Sequence, residues 1–184
     1  MILRKWQEEI INKYTEICKA HKKFILKAPT GAGKTVLASE IIKKFYKNKK
    51  ILVLCHRLVL LEQLERELKI DHKVKKLGIS ENTQCFGNSD IILSTNLRSK
   101  YAIASLIPDA DLIIIDEAHR VSPVGSAYQR VLEIFDTKGK KSSHIMGLTA
   151  SPERRTGNQN DQLGLVFDAI IDCADVNTLI KENV

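Results

Sequence analysis

A glycine-rich segment between a strand pattern and a helix pattern constrains the fold more than any other feature of the chain. The segment, Ala28–Thr35, has the sequence Ala-Pro-Thr-Gly-Ala-Gly-Lys-Thr. The short apolar run Phe24–Leu26 precedes it, and Val36–Phe45 carries apolar side chains at helical spacing. This strand–loop–helix order is the context that a phosphate-binding loop requires. The first glycine of that pattern is replaced by Ala28, where a small residue suffices because the position precedes the loop's main-chain amides.

Main-chain amides are expected to form an anion site in this loop. Gly31 and Gly33 allow a tight turn and a close approach to an anion, since no side chain intervenes. The amides from Gly31 to Thr35 then face one concavity at a helix N-terminus, where the dipole favours negative charge. We expect Lys34 to reach the β- and γ-phosphates and the Thr35 hydroxyl to bind Mg²⁺. The nucleotide-contacting residues are therefore predicted to be Thr30, Gly31, Ala32, Gly33, Lys34 and Thr35. A chance match is the alternative, and the flanking strand and helix argue against it.

A second motif places two carboxylates directly after an apolar run. Leu112–Ile115 is typical of a strand buried on both faces, and Asp116 and Glu117 follow at its carboxyl end. Adjacent carboxylates in a buried setting repel unless a cation or a proton relieves them. We expect Asp116 to hold Mg²⁺ together with Thr35, and Glu117 to orient and deprotonate the attacking water. An ordinary helix start is the alternative. The loop and the acidic pair are expected to meet across neighbouring strands.

Strand and helix patterns alternate along the 184 residues, which suit one domain. Strand patterns occur at residues 24–27, 51–55, 74–77, 91–94, 112–116, 145–149 and 170–173. Helical patterns occur at residues 6–19, 34–45, 59–68, 96–105 and 128–135. This alternation predicts a doubly wound α/β fold with a mainly parallel sheet of about seven strands.

Composition narrows the class of protein further. The 29 basic residues exceed the 22 acidic ones, which gives a net charge of +7 that is compatible with a polyanionic partner but does not identify one. Solvated helix ends and loops are the favoured explanation of the lysine clusters. No apolar run is long enough to cross a membrane, and no signal peptide is recognisable. The four cysteines lack C-x-x-C spacing, so we expect reduced thiols in a cytoplasmic protein, with Cys55 and Cys85 in or near the core.

With these motifs placed, the chain resembles the first motor domain of superfamily-two helicases and translocases. The Asp-Glu-Ala-His sequence at residues 116–119 is similar to the DEAH signature of that family. Residues 3–7, Leu-Arg-Lys-Trp-Gln, resemble its adenine-reading motif, which implies that Gln7 contacts the adenine edge and that Arg4 lies near the base or phosphates. A solvated helix residue is the alternative for Gln7.

The resemblance extends to segments that implicate nucleic acid and coupling. Residues 54–63 and 92–96 resemble two motifs with which the family contacts a nucleic-acid strand. This similarity implies nucleic-acid contacts from His56, Arg57, Ser94 and Thr95. Thr95 could also be an ordinary helix N-cap. Residues 147–152 resemble the threonine-alanine-serine motif. This similarity implies a role for Thr149 and Ser151, with His119, in coupling the nucleotide site to strand movement, although His119 could be merely structural.

Together, these similarities imply a RecA-like, three-layer P-loop NTPase domain that uses ATP and Mg²⁺. They imply an ATP-dependent helicase or translocase of bacterial or phage type, with DNA favoured over RNA as its partner and no membrane role. Residues 1–184 are expected to be a single ATP-binding domain truncated before a second motor domain, and therefore weakly active alone. Two alternatives remain: the motor of a restriction enzyme, and a non-hydrolysing nucleotide-dependent binding module, against which Glu117 argues.

Overall fold

The computed structural model shows a seven-stranded sheet in which every strand pair is parallel. It describes residues 3–55, 58–68, 72–77, 85–95, 100–121, 128–151, 163–174 and 179. The strands are β1 (Lys23–Lys27), β2 (Ile51–Cys55), β3 (Val74–Lys76), β4 (Ile91–Thr95), β5 (Leu112–Asp116), β6 (His144–Thr149) and β7 (Ala169–Asp172). Their order across the sheet is β3-β4-β2-β5-β6-β1-β7.

Among the described residues, helices lie between β1 and β2, between β2 and β3, between β4 and β5 and between β5 and β6, and a further helix precedes β1. They are α1 (Lys5–Ala20), α2 (Lys34–Phe45), α3 (Leu58–Leu68), α4 (Lys100–Leu106) and α5 (Gln129–Lys138). Short 3-10 helices follow α4 at Ile107–Asp109 and β5 at Ala118–Arg120. In the part of the chain that the structure describes, no helix is both long and apolar enough to cross a membrane.

Two apolar layers cover the two faces of the sheet. Because successive strand residues point to opposite faces, Leu26 and Ile114 pack with α1, α2 and α3 on one side. Ile25 and Ile113 pack with α4 and α5 on the other. The central strand β2 is buried at every position and β5 is buried over Leu112–Ile115, which explains why these segments are continuous apolar runs instead of alternating patterns. The predicted three-layer α/β architecture is confirmed.

The predicted strands agree with the structure to within one residue at each end. Two other expectations were wrong. The phosphate-loop strand β1 and the acidic-pair strand β5 are not neighbours, because β6 lies between them and pairs with both. Cys85 is exposed, whereas Cys55 is buried as expected. The four cysteines are free thiols, as predicted.

Candidate nucleotide site

The carboxyl ends of all the strands lie at one edge of the sheet, because every pair is parallel. This edge carries the glycine-rich loop after β1, the acidic pair after β5 and Thr149 at the end of β6. Segments more than eighty residues apart in sequence therefore meet at one site. Open α/β sheets place their ligands at this edge.

The glycine-rich loop turns through two residues in the left-handed region. Gly31 has φ of 78° and Gly33 has φ of 95°, a conformation that favours glycine at both positions. The amide of Ala32 donates to the Pro29 carbonyl across the turn, at 3.2 Å. The Lys34 ammonium lies at the same loop and donates to the carbonyls of Ala28 and Pro29, each at 2.8 Å. Carbonyl groups of the loop thus bind the ammonium group of Lys34, which is the first residue of α2.

The start of α1 contacts the outer side of this loop. The Arg4 guanidinium Nη1 donates to the Ala32 carbonyl at 2.7 Å and lies 3.5 Å from the Gly31 carbonyl. The Gln7 side-chain amide Nε2 donates to the Gly33 carbonyl at 2.9 Å. Arg4 and Gln7 therefore contact the main chain of the loop, and the adenine and phosphate contacts that the family resemblance implied for them stay predictions.

The carboxylate of Asp116 is half-buried beside a thiol from the neighbouring strand. Cys55 Sγ donates to Asp116 Oδ2 at 3.3 Å. Burial raises the pKa of Asp116, and the Cys55 hydrogen bond and the Lys34 charge oppose that rise. Burial lowers the pKa of Lys34, while the charges of Glu117 and Asp116 oppose the fall. The lysine and the two carboxylates therefore form one electrostatically coupled group.

Glu117 occupies a backbone conformation that is uncommon for a residue with a side chain. Its φ of 54° lies in the left-handed region. Its carboxylate Oε2 lies 3.2 Å from His119 Nδ1, and both side chains are 30% exposed. Strained backbone of this kind concentrates at functional sites, where the surrounding structure maintains it. The carboxylate that was predicted to activate water is thus held by its backbone turn and by a histidine.

Thr149 contacts both halves of the site. Its carbonyl accepts from the Ala28 amide at 3.0 Å, at the base of the glycine-rich loop. Its hydroxyl lies 3.0 Å from His119 Nδ1 and donates to the Ser151 carbonyl at 3.1 Å. Because that hydroxyl hydrogen is directed to Ser151, we assign the proton between the ring and Thr149 to His119 Nδ1. Glu117, His119, Thr149 and Ser151 therefore form a connected chain beside the loop.

Close packing brings the acidic segment onto β6. A Cβ atom added to Gly147 would lie 2.7 Å from Ala118 Cβ, 3.1 Å from Ile25 Cγ1 and 3.2 Å from Phe167 Cε1. Ala118 directly follows Glu117 and begins the 3-10 helix. The absence of a side chain at Gly147 therefore allows the acidic segment to lie against the sheet.

The residues predicted to contact nucleic acid are only partly described. Thr95 ends β4 and aligns with Cys55 at the end of β2, so it lies at the edge that carries the site. Ser94 is 3% exposed and belongs to the interior of the sheet. His56 and Arg57 lie outside the described residues. The structure thus brings together the loop, the acidic pair and the residues predicted to have a coupling role. Of the two described members of the nucleic-acid set, it places Thr95 at the site edge.

Cys55 is a site residue that sequence reasoning did not assign to the site. Its thiol reaches Asp116 because β2 pairs with β5, in a register that aligns Leu54 with Ile115. The sequence feature that could have assigned Cys55 to the site is its position at the carboxyl end of a predicted strand. Using that signal requires the strand order, which local patterns do not provide.

Comparisons with known proteins identify the family to which the chain belongs. Residues 1–154 match the family described as "Type III restriction enzyme, res subunit". Putative helicase 22 of Sulfolobus islandicus filamentous virus is 27% identical over 177 positions, covering 89% of this chain and 30% of that protein. The type I restriction enzyme EcoAI endonuclease subunit of Escherichia coli is 30% identical over 166 positions, covering 82% of this chain and 19% of the relative. The chain thus spans less than a third of either relative.

Solved structures show the same fold. A nuclease-deletion mutant of the Type ISP restriction-modification enzyme LlaGI, in complex with a DNA substrate mimic, superposes with a TM-score of 0.71 at 20% identity. The match covers 100% of this chain and 21% of that one. The chain belongs to the family of the type III restriction enzyme res subunit, and its fold is that of the N-terminal RecA-like motor domain of superfamily-two helicases.

Proposed function

We propose that the chain is the ATP-binding motor domain of an ATP-dependent translocase or helicase that moves on nucleic acid. One observation carries this proposal: the Thr149 carbonyl accepts from the Ala28 amide at the base of the glycine-rich loop, at 3.0 Å, and the Thr149 hydroxyl lies 3.0 Å from His119 Nδ1. Because His119 Nδ1 lies 3.2 Å from the Glu117 carboxylate, these contacts join two segments that are remote in sequence. A lysine for phosphates, a carboxylate for a metal and a carboxylate for water are the parts that ATP hydrolysis requires.

The loop residues would bind the triphosphate. The amides of Gly33, Lys34 and Thr35 would supply donors at the N-terminus of α2, where the helix dipole favours anions. Lys34 would exchange its bonds to the Ala28 and Pro29 carbonyls for phosphate oxygens. Thr30 and Ala32 complete the lining of the loop.

The residues at this edge fit Mg²⁺. Thr35 and Asp116 offer a hydroxyl and a carboxylate, and Mg²⁺ prefers oxygen ligands of this kind. Among the described residues, no cluster of three or more His, Cys, Asp or Glu side chains is arranged to hold a metal. This also suits Mg²⁺, which is usually held by one or two carboxylates together with substrate phosphates. When bound, the ion would neutralise charge that develops on the phosphates.

Glu117 would accept the proton of the water that attacks the γ-phosphate. Its contact with His119 Nδ1 orients the carboxylate, and His119 in turn contacts Thr149. Ser151 follows Thr149 in the same chain of hydrogen bonds. These contacts support a coupling role for His119, Thr149 and Ser151, because they connect the water-activating group to the segment that leaves β6.

DNA is the nucleic acid that we propose as the track. A solved structure with the same fold is a complex with a DNA substrate mimic, and the net charge of +7 suits a polyanion. His56, Arg57, Ser94 and Thr95 are proposed to line the contact. A helix N-terminus flanked by an arginine favours the binding of a phosphate group of the nucleic-acid backbone. Residues 1–184 would be one domain, and a second RecA-like domain would supply the remaining catalytic groups.

Two substitutions test this proposal by separating nucleotide binding from turnover. Lys34→Ala removes the phosphate-binding ammonium and is expected to abolish measurable MgATP binding in calorimetry. Glu117→Gln keeps the shape of the side chain and is expected to preserve MgATP binding. It should lower DNA-stimulated hydrolysis about a hundredfold or more, since a positioned general base contributes about that much.

Charge-matched variants on the surface provide controls. Lys47 and Glu16 are exposed and belong to none of the site segments, so Lys47→Ala and Glu16→Gln should leave both measurements unchanged. Wild-type binding of MgATP by the Lys34→Ala protein would refute the assignment of the loop. Unchanged hydrolysis by Glu117→Gln would instead favour a non-hydrolysing nucleotide-dependent module.

The motor of a restriction enzyme is the second candidate function. The family description and the Escherichia coli relative both favour it. Both candidates share the nucleotide chemistry described above, and they differ in whether the DNA is cut. Cleavage of a plasmid by the complete protein in the presence of MgATP would support the restriction motor, whereas ATP-dependent strand displacement without cleavage would support the helicase.

A further inference from the structure

Several exposed lysines lie at the edge of the sheet that is opposite to the candidate nucleotide site. Because every strand pair is parallel, the amino ends of all the strands share one edge. Five exposed lysines belong to the loops at this edge or to the helix end that leads into one of them. They are Lys22 before β1, Lys49 before β2, Lys73 before β3, and Lys138 and Lys141 before β6. We call these five residues the amino-end lysines.

Contacts between neighbouring loops hold this edge together. Lys22 Nζ lies 5.6 Å from the centroid of the Phe135 ring, in the last turn of the helix that ends at Lys138. Main-chain hydrogen bonds also join the loops side by side across the sheet. These bonds run from the Asp90 amide to the Lys73 carbonyl at 2.8 Å, from the Asp111 amide to the Lys50 carbonyl at 2.7 Å, and from the Ile145 amide to the Lys22 carbonyl at 2.9 Å.

Carboxylates at this edge are engaged by groups other than the ammonium groups of the amino-end lysines. Asp136 pairs with Lys23 at 2.8 Å, and Asp111 pairs with Lys140 at 2.9 Å. The Asp168 carboxylate accepts from the Lys23 main-chain amide at 2.9 Å. Between residues that the structure describes, no ion pair involves an amino-end lysine. Positive charge is therefore in excess on this surface.

The pKa of Asp111 reflects this excess of positive charge. Burial acts to raise that pKa, yet it lies below its ordinary value because the Lys50 amide and the Lys140 ammonium donate to the carboxylate. The charge of Lys49 lowers the pKa further. An amino-end lysine thus acts on a carboxylate that Lys140 already neutralises.

A ligand in the nucleotide site does not account for the amino-end lysines. The strands β1, β2 and β5 each contain five residues, so the two edges of the sheet are about 17 Å apart at about 3.3 Å per residue. Exposed charges are largely screened beyond a Debye length, which is about 8 Å at physiological ionic strength. Phosphates at the glycine-rich loop would therefore gain little from lysines at the opposite edge.

The amino-end lysines are spread along the edge of the sheet, which suits a linear polyanion. The strand order from β3 to β1 contains five strand spacings, or about 24 Å at about 4.8 Å each. Each strand of a DNA duplex carries one phosphate per about 3.4 Å, so about seven base pairs cover this distance. Such a surface can contact several phosphates of one duplex.

A membrane surface also presents phosphates, but attachment to it usually adds buried apolar side chains. Among the residues that the structure describes, the exposed large apolar side chains are Val59, Leu165 and Ile170. These three residues lie outside the loops that carry the amino-end lysines. The surface therefore fits a nucleic acid better than a membrane.

We propose that the amino-end lysines form a second nucleic-acid surface, which binds the phosphate backbone of duplex DNA on the side of the domain opposite to the nucleotide site. The choice of DNA as the polyanion rests on the proposed function. This surface is separate from the contact that includes Thr95, because Thr95 ends β4 at the carboxyl-end edge. It retains DNA by charge without reading its sequence, since phosphate contacts carry no direct sequence information.

Anisotropy titrations of a short, fluorescein-labelled DNA duplex at several salt concentrations test this surface. Two variants neutralise its two halves: Lys138→Gln/Lys141→Gln and Lys49→Gln/Lys73→Gln. We expect each variant to raise the dissociation constant by about tenfold or more at about 0.1 M salt, and to reduce the slope of log affinity against log salt by about two, because each lost phosphate contact removes about 0.9 from that slope. MgATP binding, and the hydrolysis rate at saturating DNA, should stay at the wild-type values.

Lys13→Gln/Arg130→Gln is the matched control. It removes the same charge from two exposed residues that lie outside the amino-end loops, and Arg130 is already paired with Glu133 at 3.5 Å. The control should bind DNA with nearly the wild-type affinity and salt dependence. Circular dichroism and the thermal midpoint show whether each variant is folded.

Four results would overturn the inference. Both amino-end variants could bind DNA like the control, or their maximal DNA-stimulated hydrolysis could fall with binding, which would assign the lysines to the track itself. The wild-type chain could instead bind anionic phospholipid vesicles in preference to DNA and lose that binding in the variants. If the wild-type chain does not bind the duplex at all, the proposed DNA track fails as well, so the wild-type titration distinguishes the two failures.

Discussion

Substitution of Gly147 by alanine tests how the acidic segment is held against the sheet. The added Cβ would lie 2.7 Å from Ala118 Cβ, about 0.8 Å inside the shortest favourable carbon–carbon separation. Contacts at 3.1 Å to Ile25 and 3.2 Å to Phe167 close the other directions. Because all three neighbours are buried, we expect the overpacking to lower the free energy of unfolding by about 1–3 kcal/mol.

Calorimetric melting provides the first measurement. For a domain of this size, a loss of about 2 kcal/mol lowers the thermal midpoint by about 4–8 °C. Gly164→Ala is the matched control, since no atom lies within 4 Å of its added Cβ, and it should melt like the wild type. In the double variant Gly147→Ala/Ala118→Gly the closest contact is removed. That variant should be more stable than the sum of the two single changes predicts.

The same substitution should affect function selectively. Ala118 adjoins Glu117, so pushing Ala118 away from β6 displaces the water-activating carboxylate while the glycine-rich loop keeps its own contacts. We expect Gly147→Ala to lower DNA-stimulated ATP hydrolysis more than it weakens MgATP binding. A variant that melts and hydrolyses like Gly164→Ala would refute the close-packing explanation.

Two further predictions concern stability away from the loop. Burial lowers the pKa of His144, so the unfolded chain, with a histidine pKa of about 6.5, takes up a proton first as the pH falls. The associated stability is present above about pH 6.5 and is lost below it. The thermal midpoint of His144→Gln should therefore fall less than that of the wild type between pH 7.5 and pH 5. The hydroxyls of Tyr14 and Tyr46 are buried 3.0 Å apart, so Tyr14→Phe and Tyr46→Phe should each cost about 1 kcal/mol in chemical denaturation. The double variant should cost less than the sum, and strict additivity would contradict the pairing.

The strands were predictable because their environment is uniform along each one. A strand covered by helices on both faces must be apolar at every covered position, and this holds for the whole of β2 and for Leu112–Ile115 of β5. Their boundaries coincide with the places where polar residues return. The start of α4 was less clear, since the helical pattern began at residue 96 and the helix is described only from Lys100.

The order of the strands was not predictable from local patterns. β6 lies between β1 and β5, although it follows both in the chain. Nothing in an apolar run specifies its neighbours, so the expected direct contact between the loop strand and the acidic strand was wrong. The hydrogen bond from Cys55 to Asp116 escaped prediction for the same reason, because it depends on β2 pairing with β5.

Side-chain burial was predictable only for apolar residues. Gln7 falls outside the apolar set of α1, yet it is as buried as Trp6 because its amide finds main-chain partners. Cys85 shows the reverse, since a small thiol next to a turn remains exposed. The glycine-rich loop and the acidic pair lie at the ends of strands, as predicted, whereas their roles in binding and hydrolysis stay predictions.

Thr149 connects the two halves of the site, the glycine-rich loop and the acidic segment. Its carbonyl accepts a hydrogen bond from the Ala28 amide at the base of the loop, and its hydroxyl contacts His119 beside the acidic pair. A shift of β6 along its own axis would therefore change the contacts of Thr149 with both halves of the site. Such a shift would act together on the loop that we propose binds the phosphates and on the carboxylate that we propose activates water.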